Sequence, residues 1–82
     1  MSEADIAARL TEALAQAAAQ AAGGPAPIIS VSIEIISPGD AAKVETRVER
    51  KTRTLAFMSA EAFTADAKRI ASATSVHTIA SA

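Results

Sequence analysis

The run from Ser37 to Phe57 constrains the fold more than any other stretch of the chain. It opens on a turn, Ser37-Pro38-Gly39-Asp40. From Ala42 to Arg50 it then places Lys43, Glu45, Arg47 and Glu49 at every second position. A period of two belongs to a strand with one face in water. The alternating signs on that face suit cross-strand pairing. A basic turn, Arg50-Lys51-Thr52-Arg53, leads into a second strand that opens Thr54-Leu55-Ala56-Phe57-Met58.

The remaining elements are read around this pair. Residues 3–22 form a helix dominated by alanine, the residue with the best helix propensity. Ser2 suits the N-cap, Glu3 and Asp5 suit the positive end of the helix dipole, and Gly23-Gly24-Pro25 ends the helix. Ile6, Leu10, Ala13, Leu14, Ala17 and Ala21 make one stripe; Asp5, Arg9, Glu12, Gln16 and Gln20 share the other side. Strands are expected over 27–37, 42–50, 53–64 and 68–79. In the first, Ile29, Val31, Ile33 and Ile35 take one face. In the third, Leu55, Phe57 and Phe63 oppose Ala56, Met58, Ala60 and Ala62, and neither face is clearly polar. One face then covers the helix and the other is free for a second subunit. The connections are hairpin-sized, which predicts an antiparallel meander. Thr78–Ala82, small and mildly polar, reads as a loose end. The whole is one α+β domain spanning residues 1–82.

Composition narrows the function. An 82-residue domain has a marginal core, and without cysteine no disulfide supports it. The same absence excludes thiolate nucleophiles and four-cysteine zinc sites, and a single histidine leaves no basis for a histidine-rich metal site. A net charge of −1, with Phe57 and Phe63 the sole aromatics, argues against nucleic-acid binding. Half the residues are hydrophobic and only 21% charged, a surplus that predicts a homo-oligomer, a dimer or tetramer. The acidic N-terminus is unlike a signal peptide, and Arg9, Glu12, Gln16 and Gln20 interrupt the most apolar stretch. No membrane association and a cytoplasmic location are the expectation.

Four segments together carry a family resemblance: the turn Pro38-Gly39-Asp40, the strand Val44 to Val48, the run Arg50-Lys51-Thr52-Arg53-Thr54-Leu55-Ala56-Phe57, and Asp66-Ala67-Lys68-Arg69-Ile70-Ala71-Ser72-Ala73. In this order, behind a long helix, they resemble the hot-dog superfamily, and within it the acyl-CoA thioesterases of the phenylacetate-pathway type. The resemblance covers roughly residues 6–79. It implies a hot-dog fold, a central helix wrapped by an antiparallel sheet of about four strands. Two glycines of the family pattern are replaced here, by Thr52 and Ala67. The family also carries an extra strand and a His-Gly-Gly-like segment ahead of the helix, whose backbone N–H groups polarise the thioester carbonyl. Glu3-Ala4-Asp5 stands at that place, so the resemblance is to an N-terminally shortened member.

The resemblance implies that Glu12, in Leu10-Thr11-Glu12-Ala13-Leu14, is the catalytic carboxylate, attacking the thioester or activating water. A solvated helix residue paired with Arg9 three positions earlier is the plain alternative. It also implies that Lys51 and Arg53 contact the coenzyme A phosphates; the alternative is that the basic turn keeps a hairpin soluble. His77 reads as a structural residue. No cofactor or metal is expected beyond coenzyme A as part of the substrate. Three functions follow: acyl-CoA hydrolysis, binding of an acyl-CoA or similar apolar ligand without turnover, or a role in oligomer assembly alone.

Overall fold

Ser2 starts the helix. In the computed structural model, which describes residues 1–79, helix α1 spans Glu3–Ala22. The Ser2 hydroxyl accepts from the Asp5 amide at 3.1 Å, and the Asp5 carboxylate accepts from the Ser2 amide at 3.3 Å. This reciprocal box satisfies two amides that the helix itself cannot pair. At the other end Gly23 takes φ 72°, a left-handed conformation that costs glycine nothing. The last turn has no basic residue of its own. Lys51 supplies the cation from elsewhere, its Nζ donating to the Ala21 carbonyl at 2.8 Å. Ile6, Leu10, Leu14 and Ala18 are buried at a spacing of four. Ala13, Ala17 and Ala21 lie half-buried at the flanks of that seam.

The strands are β1 (Ile28–Ile35), β2 (Lys43–Lys51), β3 (Leu55–Phe63) and β4 (Arg69–Thr78). All pairings are antiparallel, in the order β1-β4-β3-β2. β2, β3 and β4 form the expected meander. β1 does not: it pairs with β4, so Pro38-Gly39-Asp40 is no hairpin turn, and β1 and β2 are opposite edges of the sheet. The connection runs along the sheet end. Ile36 and Ser37 donate to the Ile70 carbonyl at 2.8 and 3.2 Å, and Ala42 donates to that of Phe63 at 2.8 Å. Three strand spacings are about 14 Å, which a seven-residue link covers easily. Loop length alone therefore does not separate a hairpin from this crossing. Gly39, at φ 155°, passes so close to β3's end that a Cβ would meet Thr64 Cγ2 at 3.2 Å.

The helix lies on an alanine floor. Ala56, Ala60 and Ala62 of β3 and Ala71 and Ala73 of β4 are buried beneath it, with Met58 and Ile70 filling the larger gaps. Each large aliphatic buried here contributes about 1.5–3 kcal/mol. Leu55, Phe57 and Phe63 sit on the far face, half-buried. A bulge between Ile28 and Ser30 breaks the expected alternation in β1. Ile28, Val31, Ile33 and Ile35 oppose His77, Ser75, Ala73 and Ala71, whereas Ile29 is displaced from the series and 59% exposed. The C-terminal strand is not loose through Ile79. Thr78 donates to the Pro27 carbonyl at 2.9 Å, Ile79 to that of Thr54 at 2.8 Å, and Ile79 packs on the core. Residues 80–82, part of the expected loose end, lie outside the described residues.

Candidate functional site

Glu12 lies in the middle of α1, on the side turned away from the sheet, and is exposed together with Gln16 and Gln20. Arg9 does not pair with it. The Arg9 guanidinium donates to the Ala41 carbonyl instead, which ties the helix to the connection before β2. Among the described residues Glu12 has no hydrogen-bonded or ionic partner. A carboxylate so placed is available to an incoming group.

Lys51 and Arg53 flank the hairpin between β2 and β3. Thr52 closes this turn with its side chain. Its hydroxyl accepts from the Leu55 amide at 3.0 Å and the Thr54 amide at 3.4 Å, while its own amide donates to the Leu55 carbonyl at 2.8 Å. The threonine thus closes the turn with its own side chain. Arg53 is exposed at the tip. Lys51 points to the helix side, anchored on Ala21. A lysine ammonium has three donors, so this bond leaves two free.

Next to that anchor, a groove of about 360 Å³ runs between α1 and the β2 edge. Ala17, Gln20 and Ala21 form one wall, and Thr46, Arg47, Val48 and Met58 the other. Val48 is 44% exposed in it. A second cleft, of about 790 Å³, opens at the helix N-terminus between Ile6 and the segment Ile35–Gly39. The α-amino group of Met1 bonds the Asp40 carboxylate beside it. That salt bridge raises the pKa of the amine. Glu12 is about 9 Å along the helix axis from Ile6 and about 13 Å from Ala21, taking 1.5 Å per residue. One copy of the chain therefore joins Lys51 to a groove but does not bring Glu12 to either basic residue.

His77 is fully buried, as a structural residue should be, but its bonding was not legible in the sequence. Its Nδ1 lies 2.9 Å from the Ala26 carbonyl and its Nε2 2.7 Å from Ser75 Oγ. A carbonyl only accepts, so Nδ1 carries the proton and the Ser75 hydroxyl donates to Nε2. This serine–histidine pair pins the helix-to-β1 loop to β4. No spacing rule finds it, because the partner carbonyl is 51 residues away.

A long helix seated across a four-stranded antiparallel sheet defines a hot-dog domain. The chain belongs to the family described as acyl-CoA thioesterase N-terminal domain, whose model matches residues 8–78. Its structure is similar to the X-ray structure of a thioesterase-superfamily protein determined by a structural genomics consortium. The TM-score is 0.83 at 22% identity, covering 98% of this chain and 62% of that one. The chain thus spans less than two thirds of that protein's length, and at this identity the likeness concerns the fold. No curated protein matches.

Proposed function

We propose that this chain recognises acyl-CoA thioesters, with the acyl chain in the groove between α1 and β2 and the coenzyme A phosphates at Lys51 and Arg53. The observation that carries the reading is the adjacency of a cation to a groove with Ala17, Ala21, Val48 and Met58 in its lining: Ala21 both lines the groove and holds Lys51. Arg53 adds an exposed planar donor suited to phosphate. Glu12 is the group we assign to hydrolysis, as nucleophile or general base, in a site that a second copy completes. The copies join along β1, an open edge whose Ile29 and Val31 are exposed and which carries no lysine or arginine. A cytoplasmic homo-oligomer needing no metal fits this reading. Among the described residues no helix is long and apolar enough to cross a membrane.

Binding without turnover is the second reading, and one observation favours it. The Asp5 amide is occupied by Ser2, and Glu3 and Asp5 put two carboxylates in the first helical turn. Negative charge there opposes a developing oxyanion. A panel of acyl-CoA substrates, assayed on wild type and Glu12→Ala, separates the readings. Hydrolysis should fall at least about 100-fold in the variant; equal rates would remove Glu12 from the mechanism, and no turnover in wild type would leave the binding reading. Calorimetric titration with coenzyme A should weaken several-fold in Arg53→Ala. Absence of heat in both proteins would overturn both ligand readings.

A further inference from the structure

Helix α1 changes character along its length. It buries Ile6, Leu10 and Leu14, but beyond Leu14 it buries only Ala18, with Ala17 and Ala21 half-buried beside the groove. On the sheet, the buried positions of β3 are Ala56, Met58, Ala60 and Ala62, so Met58 is the one large side chain this strand gives to the interior. The register sets Met58 between Val48 of β2 and Ser75 of β4. Val48 is 44% exposed in the groove, Met58 only 1%, and the Ser75 hydroxyl is committed to His77. Of the described residues that line the groove, Met58 alone is buried. Its side chain is therefore the inner wall of the groove. On one side lies a cleft open to water; on the other lie the alanine interior and the Ser75–His77 pair.

The walls also fix a length. Ala17 to Ala21 is four residues of helix, about 6 Å. Thr46 to Val48 is two residues of strand, about 7 Å. An extended alkyl chain advances about 1.3 Å per carbon, from a bond of about 1.52 Å at the tetrahedral angle. The walls therefore cover about five or six carbons. We infer that, within the acyl-CoA reading above on which this rests, Met58 sets the acyl group this chain accepts, and that the class selected is the short straight-chain acyl-CoA of about six carbons or fewer. A chain of that length is covered along its whole run. Carbons beyond it stay in water and gain nothing, because Met58 closes the way inward. Methionine suits this position: unbranched and polarizable, it fills an irregular gap between alanines. Exchange for alanine removes three non-hydrogen atoms, Cγ, Sδ and Cε. That opens room for about two or three methylenes before the chain meets Ser75.

Calorimetric titration with saturated acyl-CoAs, from acetyl to dodecanoyl, tests this. In wild type the dissociation constant should fall about fourfold per added methylene up to about six carbons, then level off. In Met58→Ala the fall should continue for about two or three carbons more. Octanoyl-CoA, measured against hexanoyl-CoA, should then bind about tenfold better than the same comparison gives in wild type. Met58→Leu conserves volume and should keep the wild-type profile. Met58→Val loses one atom, should move the break by about one carbon, and decides the matter if circular dichroism shows the alanine variant unfolded. Wild-type affinity that keeps rising to dodecanoyl-CoA would overturn the inference, and so would one break point shared by wild type and the folded smaller variants; either result leaves the acyl-CoA reading standing. Affinity independent of chain length, with coenzyme A bound as tightly, would remove the acyl chain from the groove and overturn the role of Met58 with it. Absence of heat with every thioester and with coenzyme A would overturn the acyl-CoA reading itself.

Discussion

Ala67 shows at the scale of one residue what a left-handed backbone costs a residue that carries a side chain. It is the one non-glycine residue with positive φ among the described residues, at 65°, in the turn closed by its amide on the Thr64 carbonyl at 2.9 Å. An L-residue in this region pays about 1–2 kcal/mol, offset in part by the smaller unfolded-state entropy of alanine. Ala67→Gly should therefore stabilise the protein by up to about 1 kcal/mol in urea unfolding; a lower midpoint would show that the turn is not strained. Glu49 makes a second residue-level case. A hydrogen bond from Ser59 at 2.7 Å, and then the Arg47 guanidinium, lower its pKa below the ordinary glutamate value. The folded state prefers the ionised carboxylate, so this contribution is present above the unfolded pKa and fades as pH falls through the lowered folded value. Ser59→Ala should move the Glu49 carboxyl titration, followed by NMR, upward toward the ordinary value. An unmoved titration would contradict the assigned cause.

At the scale of elements, the contact between helix and sheet depends on small residues more than on large ones. Ile6, Leu10 and Leu14 share one buried cluster with Ala60, Ala62, Ala71 and Ala73, so small floor residues face the large residues of the helix. Ala60→Leu should cost about 1–3 kcal/mol through overpacking. Ala8→Leu, on the exposed side of the same helix, should change stability by no more than about 0.5 kcal/mol. Equal effects in denaturant titrations would mean that the floor is not close-packed. The seam was legible in the sequence because its spacing is local: Ile6, Leu10 and Leu14 recur every four residues, and Ala56, Met58, Ala60 and Ala62 every two. The place of β1 was not. Strand pairing is a choice among partners, and neither the length of the 36–42 connection nor the alternation of β1 specifies β4 as its neighbour.

At the scale of the whole molecule, the sheet has two unlike edges and the helix has an uncovered side. β2 carries Lys43, Arg47, Arg50 and Lys51 along its edge, whereas β1 presents Ile29 and Val31. A domain of this size has little stability to spare, and association of folded copies adds to it by mass action. The thermal midpoint should accordingly rise by about 3 °C for each tenfold increase in protein concentration. Scanning calorimetry at two concentrations measures this, and a concentration-independent midpoint would show that the folded chain is complete alone.

The candidate site divides along the same line. Glu12, Lys51 and Arg53 are candidates that the family resemblance implied, and they lie in α1, at the end of β2 and in the turn that follows it. Their relation in space was not so implied. Lys51 turned out to cap the helix at Ala21, Arg9 to leave Glu12 for the Ala41 carbonyl, and His77 to join Ser75 and Ala26 across the interior. Sequence by itself determined the elements and, outside the bulged start of β1, most of their buried faces, because hydrophobic period, capping and turn chemistry act over a few residues. Tertiary structure alone decided that β1 lies beside β4, that Lys51 bonds a residue lining the groove, and which side of Glu12 stays open. Those facts depend on contacts between residues tens of positions apart, where the chain offers several partners and only the packed whole selects among them.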